Sequence, residues 1–325
     1  MKSWHMEVIG DTAKLDLRDV PTPEPGPQQV LVRIKAASLN RGEFILGHGL
    51  HKAGSAKAIG MEGAGEVLKV GAGVTRLKVG ERVMGRCPAA FSEFALMDAR
   101  EAMQVPAGLS DEEAASIPLT FLVVQDMLID QGRLAAGEWV LVTGVSSGVG
   151  VASLQAAKAL GAKVIGTSGS ADKLERLKAA GLDVGIQTRA ADFHDSVMKA
   201  TDGKGVDLVV NTVGGTVFAE CIRCMAFEGR LATVGYVDNT LRAEMDILAL
   251  HMKRLTLFGV SNKLRSAEQR ASGVPGFIST LVPHIAAGRI KPIVDHAYAF
   301  EELPAAKAHM DSNRHLGKIV IKGKT

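Results

Sequence analysis

The sequence predicts an α/β protein of two domains, one an antiparallel β-barrel and the other a doubly wound parallel sheet. Up to about residue 117, short β-like runs alternate with turn residues, which is typical of a small antiparallel barrel. From about residue 118, apolar strand-like runs alternate with helical patterns, which is typical of a doubly wound sheet. A length of 325 residues fits two domains of ordinary size.

The change of pattern sets the expected domain boundaries. We expect the first domain to comprise residues 1–117 and 263–325, and the second to comprise residues 118–262. A helix-like stretch, VPGFISTLVPHIAAGRI, and a last strand, LGKIVIK, are expected to return the chain to the first domain. The strands predicted for the second domain are 139–143, 163–167, 183–187, 207–212, 230–234 and 255–260.

A glycine turn opens the first βαβ unit of the second domain. Residues 138–170, EWVLVTGVSSGVGVASLQAAKALGAKVIGTSGS, indicate a strand, a tight turn, a helix and a second strand. Gly148 allows the backbone to approach a phosphate, and Gly150 allows the helix to pack close to the strand. Val145 and Ser147 stand where the usual pattern has glycine. Because a helix N-terminus favours an anion, the stretch predicts a dinucleotide site. Its first contacts are Ser146, Ser147, Gly148 and Val149.

The end of the second strand favours NADP(H) over NAD(H). NAD sites usually place Asp or Glu about 20 residues past the glycines, to bind the ribose 2′-hydroxyl. That place holds TSGS here, with Ser168 and Ser170, and Lys173 follows. Hydroxyls and a cation can bind a 2′-phosphate that a carboxylate would repel. Ser170 can also cap the next helix, with Lys173 solvated on it, and the two roles are compatible.

The composition excludes several classes of partner. The net charge is +3 and no dense Lys/Arg run occurs, so we expect neither nucleic acid nor an anionic membrane as a partner. No apolar stretch reaches about 18 residues, the length of a membrane-spanning helix. The start, MKSWHMEVIG, lacks the apolar core of a signal peptide, so we expect a cytoplasmic location. Cys87, Cys221 and Cys224 are too few for a disulfide scaffold.

Four blocks, in order, carry a family resemblance. They are GMEGAGEVLKVGAGVTRLKVGERV, SIPLTFLVVQDML, LVTGVSSGVG and the closing HLGKIVI. With them the chain resembles the medium-chain dehydrogenase/reductase superfamily, on its quinone oxidoreductase (zeta-crystallin-like) side, over essentially its whole length. The resemblance implies a GroES-like catalytic domain, a Rossmann domain and an active site in the cleft between them. It also implies a homodimer joined edge to edge through the last Rossmann strand, near 255–260.

The same resemblance argues against a zinc ion. The zinc-dependent alcohol dehydrogenases of the superfamily have Cys where this chain has Asn40, and His where it has Met61. Cys221 and Cys224 form a single CxxC on a predicted helix, which supplies only two ligands. We therefore expect no metal, and for Glu62, which the zinc enzymes share, a hydrogen-bonding role.

The resemblance also implies which residues contact the cofactor and the substrate. Asn40 and Thr120 would lie near the nicotinamide ribose and ring, and are the catalytic candidates. Arg189 would hold the 2′-phosphate, next to Thr188, which replaces the usual Tyr. The loop after the SLN motif departs from related quinone reductases, with Ile45 in place of a Tyr. We expect Ile45, His48 and His51 in the substrate pocket, where the histidines can donate a proton; the alternative is that both histidines are simply solvated. The remaining expected cofactor contacts follow later strands and are Val213, Gly214, Gly235, Tyr236, Val260, Ser261 and Asn262.

Without a Lewis acid, hydride transfer favours an acceptor that delocalises its own negative charge. The sequence therefore predicts an NADPH-dependent oxidoreductase acting on a small quinone or a conjugated enone or enal. Two alternatives remain: a catalytically silent, crystallin-like NADPH-binding protein, and an enoyl-thioester reductase of the same superfamily. A short-chain dehydrogenase is rejected, because neither Tyr236 nor Tyr298 begins a YxxxK pair.

Overall fold

The structure, a computed structural model, describes residues 1–9, 12–45 and 56–324. It divides into two compact units. The first comprises Met1–Leu119 and Pro292–Thr325, and the second comprises Thr120–Lys291. No helix in the described part of the chain is both long and apolar enough to cross a bilayer.

The described N-terminal part of the first unit contains eight strands and two short helices. The strands are β1 (Lys2–Ile9), β2 (Thr12–Asp19), β3 (Gln29–Ser38), β4 (Ala56–Ala58), β5 (Glu62–Val70), β6 (Arg82–Arg86), β7 (Phe94–Asp98) and β8 (Met103–Gln104). The helices are α1 (Arg41–Phe44) and α2 (Asp111–Ala115). A capping box begins α2, because the Ser110 hydroxyl accepts the Glu113 N–H and the Glu113 carboxylate accepts the Ser110 N–H.

The second unit alternates strands and helices. Its helices are α3, which begins in the first unit (Pro118–Val124), α4 (Gly148–Ala159), α5 (Ala171–Lys178), α6 (His194–Ala200), α7 (Phe218–Cys224), α8 (Ile247–Met252), α9 (Ala267–Ala271), α10 (Val274–Thr280) and α11 (Val282–Ala286). Its strands are β9 (Trp139–Thr143), β10 (Lys163–Ser168), β11 (Val184–Gln187), β12 (Val206–Asn211), β13 (Met225–Thr233) and β14 (Thr256–Gly259). All six predicted strands are thus confirmed within a few residues.

The six strands of the second unit form one parallel sheet in the order β11-β10-β9-β12-β13-β14. This is the order 3-2-1-4-5-6 of the doubly wound dinucleotide-binding fold. Strands β9, β10 and β12 are almost fully buried, as strands covered by helices on both faces must be. These strands contribute Leu141, Ile165 and Val209 to the core of the unit, which also includes Phe193 and Leu231.

The chain completes the first unit with β15 (Val294–Tyr298), α12 (Leu303–Asp311) and β16 (Lys318–Lys322). A seven-stranded sheet follows the order β15-β16-β3-β5-β6-β8, and β7 pairs with β3. The β15–β16 pair is parallel and the other pairs are antiparallel. A smaller sheet has the order β2-β1-β4. The sheets enclose a core that includes Met6, Phe91 and Met97.

The predicted boundary at residue 263 is wrong: the structure assigns 263–291 to the second unit. The physical reason is a set of contacts made by α10 and the residues after α11. The Thr280 hydroxyl donates to Gln125 Oε1 at 2.6 Å. The Lys291 N–H donates to Gln155 Oε1 at 3.1 Å. Gln125 and Gln155 are both buried in the second unit, so this helical segment covers it before the chain returns.

Candidate nucleotide-binding site

The glycine turn joins β9 to α4 as the sequence predicts. Gly144 adopts a left-handed φ of 64°, and its N–H donates to the Thr167 hydroxyl at 3.2 Å. A Cβ on Gly150 would lie 2.5 Å from the Gly144 carbonyl oxygen, so only glycine lets α4 begin this close to the strand. Gly161, with a φ of 85°, directly follows the C-cap of α4, where a left-handed glycine commonly ends a helix.

The two departures from the usual glycine pattern have structural reasons. Val145 is fully buried, and a Cβ on Gly166 would lie 2.6 Å from its Cγ1. The missing side chain of Gly166 therefore makes room for Val145. Ser147 is the N-cap of α4, and its hydroxyl accepts the Gly150 N–H at 3.1 Å. The N–H groups of Gly148 and Val149 open the helix, where intrahelical acceptors are lacking, and can bind an anion.

The residues predicted to select NADP(H) lie together at the end of β10. The hydroxyl oxygens of Ser146 and Ser168 are 3.2 Å apart, and Ser168 Oγ accepts the Ser170 N–H at 3.3 Å. Ser170 caps α5 by accepting the Lys173 N–H at 3.3 Å. The exposed Arg189 crosses the backbone of Gly169, where a Cβ would meet its Nε at 2.2 Å. Hydroxyls and a guanidinium thus surround one point next to the glycine turn.

The later predicted contacts follow strands of the same parallel sheet. Val213 and Gly214 follow β12, Gly235 and Tyr236 follow β13, and Val260, Ser261 and Asn262 follow β14. Because the strands are parallel, their carboxyl ends meet at the edge where the glycine turn lies. The loops after β9, β10, β11, β12, β13 and β14 therefore all contribute a predicted residue to one edge.

Asp238 joins two of these loops, and sequence reasoning missed it. Its carboxylate accepts the N–H and the hydroxyl of Thr216, at 2.8 and 2.6 Å, and the Thr240 N–H at 2.9 Å. Burial opposes ionisation of Asp238, but these hydrogen bonds outweigh it and lower its pKa. A Cβ on Gly214, whose φ is 128°, would lie 2.1 Å from Asp238 Oδ1. The signal in the sequence is an Asp two residues before Thr240, typical of an Asx turn.

Thr120 lies on α3 and is buried, with 3% of its surface exposed. It is the first residue of the second unit. Thr120 is thus the third residue of α3.

Asn40 lies in the first unit, directly before α1, and both ends of its amide are bound. Its Nδ2 donates to Glu62 Oε1 at 2.8 Å, and its Oδ1 accepts from Lys318 Nζ at 2.9 Å. Glu62 is fully buried and also accepts the Ser38 hydroxyl at 2.6 Å and the Leu119 N–H at 2.8 Å. The expected hydrogen-bonding role of Glu62 is confirmed.

Lys318 is a further residue of this group that could not be found from the sequence pattern alone. The available signal is its place at the head of the apolar run IVI, in a strand buried on both faces. A lysine there cannot reach water and needs buried acceptors.

The predicted substrate pocket is only partly described. Ile45 is the C-cap of α1 and is half-buried, whereas His48 and His51 lie outside the described residues. Glu43, on α1, is buried and accepts the Gly60 N–H through Oε1. Its Oε2 is buried and has no hydrogen-bond partner within the described part of the chain. Burial raises the pKa of Glu43 to about 7, and nearby Glu62 adds to that rise.

The cysteines are buried. Cys221 and Cys224 lie on α7, as predicted, within the core of the second unit. Burial raises the pKa of Cys221 well above its usual value, and raises the pKa of Cys224 and of Cys87 to about 12. Within the described ranges, no three His, Cys, Asp or Glu residues are grouped so that they could hold a metal ion.

Two family models match the chain. The alcohol dehydrogenase GroES-like domain matches residues 26–107, and the zinc-binding dehydrogenase domain matches residues 148–272. Together they cover more than half of its length. The chain belongs to the medium-chain dehydrogenase/reductase superfamily. It therefore combines a GroES-like domain with a Rossmann domain, in a family of oxidoreductases that use NAD(P)H.

Solved members of the superfamily resemble the chain over its whole length. A quinone oxidoreductase of Pseudomonas syringae pv. Tomato DC3000 matches with a TM-score of 0.87 and 29% identity, over 99% of both chains. A mycobacterial protein solved with NADPH matches with a TM-score of 0.87 and 27% identity, over 99% of both chains. The CurK enoyl reductase matches with a TM-score of 0.85 and 25% identity, over 98% of both chains.

A curated relative is much longer than this chain. The mycocerosic acid synthase-like polyketide synthase of Mycolicibacterium smegmatis (strain ATCC 700084 / mc(2)155) is 30% identical over 316 residues. The match covers 96% of this chain and 15% of that protein. The chain spans 14–15% of the length of the curated relatives it matches.

Proposed function

We propose that the protein is a zinc-independent NADPH-dependent oxidoreductase that transfers a hydride to a quinone or to a conjugated enone or enal. The choice of NADPH over NADH rests on one group of residues beside the glycine turn: Ser146, Ser168, Ser170 and Arg189. Hydroxyl donors and a guanidinium bind a phosphate well, and no carboxylate stands at 167–170 to repel it. The mycobacterial relative solved with NADPH supports the same choice.

The chain's residues would hold the cofactor at three places. The N–H groups of Gly148 and Val149 bind the pyrophosphate at the start of α4, and Ser168, Ser170 and Arg189 bind the 2′-phosphate. Asn40 and Thr120 orient the nicotinamide end. When bound, NADPH supplies the hydride.

The acceptor class follows from the residues that replace the zinc ligands. Asn40 and Met61 stand where the zinc enzymes of the superfamily have Cys and His, and an amide with a thioether makes a poor zinc site. A plain carbonyl then lacks a Lewis acid to stabilise its alkoxide. Quinones and enones need less help, because their own conjugation spreads the charge.

The test is NADPH oxidation by the protein in the presence of a chelator. The acceptors are 1,4-benzoquinone, 9,10-phenanthrenequinone and an α,β-unsaturated ketone, with NADH as the control cofactor. We expect the protein to oxidise NADPH faster than NADH, and to keep this activity when the chelator is present. Activity that appears only with added zinc would contradict the zinc-independent mechanism. NADPH binding without turnover of any acceptor would favour the silent, crystallin-like alternative.

An enoyl-thioester reductase is the second candidate. Its support is the match to the CurK enoyl reductase and the 30% identity to a polyketide synthase. A crotonyl thioester added to the same acceptor panel separates the two functions. A kcat/KM for the thioester about tenfold or more above that for every quinone, or about 1.4 kcal/mol of extra transition-state stabilisation, would assign the chain to thioester reduction.

A further inference from the structure

Lys318 is a buried lysine whose three ammonium protons have three acceptors. Its Nζ lies 3.0 Å from the Leu39 carbonyl oxygen, 2.9 Å from Asn40 Oδ1 and 2.9 Å from Glu62 Oε1. Only 8% of its side chain is exposed, and none of the Glu62 side chain is. All four residues belong to the first unit. The ammonium group is therefore saturated within the protein.

The neighbours of Asn40 fix which way its amide points. An amide can usually be turned by 180°, because its oxygen and nitrogen look alike. Here an ammonium group, which only donates, faces one end, and an ionised carboxylate, which only accepts, faces the other. A turned amide would set its NH₂ against Lys318 and its oxygen against Glu62. The observed orientation is thus the only one in which both contacts are hydrogen bonds.

This orientation leaves one group of Asn40 available to a ligand. Its Oδ1 is bound to Lys318, and one of its two Nδ2 protons is bound to Glu62. The second Nδ2 proton has no acceptor among the residues that the structure describes, and Asn40 is half-exposed. A ligand that meets Asn40 therefore meets a hydrogen-bond donor.

We propose that Lys318 is a positioning residue which, with Glu62, holds Asn40 as a fixed single N–H donor to an oxygen acceptor of the bound ligand. This inference rests on the proposed function, in which that oxygen belongs to the nicotinamide ribose. Lys318 itself does not touch the ligand and acts only through Asn40. The chain thereby obtains a rigid donor at a place where the zinc enzymes of its superfamily have a metal-binding Cys.

The first test needs only the wild-type protein without ligand. In a ¹H–¹⁵N spectrum, the two Nδ2 protons of Asn40 are assigned by their loss in Asn40→Ser. We expect Glu62 to protect one of the two Asn40 Nδ2 protons from solvent exchange, and the other proton to exchange freely. Two freely exchanging protons would overturn it. This measurement does not depend on NADPH, so it stays informative if the proposed function fails.

The second test compares Lys318→Met with Lys322→Met. Lys322 lies at the exposed end of the same strand, and makes the matched control. We expect Lys318→Met to shift the Asn40 side-chain signals and to lower kcat/KM for NADPH about tenfold, the equivalent of one charge-assisted hydrogen bond. Lys322→Met should leave both at the wild-type values. Wild-type kcat/KM together with unshifted Asn40 signals in Lys318→Met would overturn the proposal.

A double variant separates positioning from stability. Lys318→Met alone leaves the Glu62 carboxylate buried without its cation, so it can unfold the protein. Lys318→Met with Glu62→Met removes both charges at similar volume and should restore the melting temperature. Because it also removes both partners of the Asn40 amide, kcat/KM should stay low. A double variant that regains stability and wild-type kcat/KM would show a merely structural role and overturn the inference.

Discussion

At the scale of single residues, Glu43 makes stability depend on pH. Its ordinary pKa is 4.5, and burial in the folded protein raises the pKa to about 7. Between these values the folded protein keeps a proton that the unfolded chain has lost. The contribution of Glu43 to the free energy of unfolding therefore falls as pH rises from about 4.5 to about 7, by up to about 3 kcal/mol, and this contribution changes no further above that range.

Glu43→Gln removes this titration without changing the shape of the side chain. At pH 8 we expect the variant to be more stable than the wild type by about 1–3 kcal/mol, and at pH 5 to be about equal to it. Urea unfolding at the two pH values measures the difference. Glu244→Gln, at an exposed position, is the control and should follow the wild type. Equal losses of stability from pH 5 to pH 8 in wild type and Glu43→Gln would contradict the assignment.

At the scale of elements, the start of α4 depends on Gly150. An added Cβ would lie 2.5 Å from the Gly144 carbonyl oxygen. This oxygen belongs to the backbone and cannot swing aside as the end of a flexible side chain can. We expect Gly150→Ala to lower the melting temperature by roughly 3–10 °C. It should also weaken NADPH binding, because the helix start must shift. Gly273→Ala is the control, since its Cβ would meet nothing closer than 3.8 Å. A wild-type melting temperature for Gly150→Ala would refute this packing argument.

Ser170 serves as a helix cap and as a proposed phosphate contact. Its oxygen accepts the Lys173 N–H, which leaves its hydroxyl proton for a ligand. We expect Ser170→Ala to cost about 1 kcal/mol of stability and to weaken NADPH binding about three- to tenfold, with NADH binding unchanged. Ser266→Ala removes a similar cap from α9 and is the control. Ser266→Ala should lower stability by about as much as Ser170→Ala does, without changing the affinity for NADPH. An unchanged NADPH affinity in Ser170→Ala would show that Ser170 only caps α5 and does not bind the phosphate.

Elements with a strong local pattern could be predicted from the sequence. The alternation of apolar runs with helical patterns placed all six strands of the second unit and the helix after the glycine turn. The signal is strongest for β9, β10 and β12, because burial on both faces leaves apolar runs. The boundary at 263 failed because α10 and α11 are amphipathic, and an amphipathic pattern does not say which unit a helix covers. Lys318 and Asp238 were missed because their partners are 256 and 22 residues away in the sequence.

At the scale of the whole molecule, an apolar surface adjoins the last strand of the parallel sheet. Strand β14 pairs only with β13 among the described strands. Just before it, α8 exposes Ile247, Leu248 and Met252, each by about two thirds of its surface. We propose that a second copy of the chain covers this surface, because an unpaired edge strand can pair with its own copy about a two-fold axis.

Charges on that surface should separate the two copies. Leu248→Glu with Met252→Glu changes only exposed side chains, so we expect a folded monomer where the wild type is a dimer. Light scattering after size-exclusion chromatography measures the mass. Val79→Glu, at an exposed position of the first unit, is the control and should remain dimeric. A monomeric wild type would contradict the proposed assembly.

We expect the carboxyl edge of the parallel sheet to bind NADPH through its 2′-phosphate. The most direct measurement is a calorimetric titration of wild type, Arg189→Ala and Arg176→Ala with NADPH and with NADH. We predict that wild type prefers NADPH about tenfold or more, that Arg189→Ala loses most of this preference, and that the exposed Arg176 on α5 has no effect. Equal affinity of the wild type for both nucleotides, or a preference for NADPH that survives in Arg189→Ala, would contradict binding of the 2′-phosphate by Arg189.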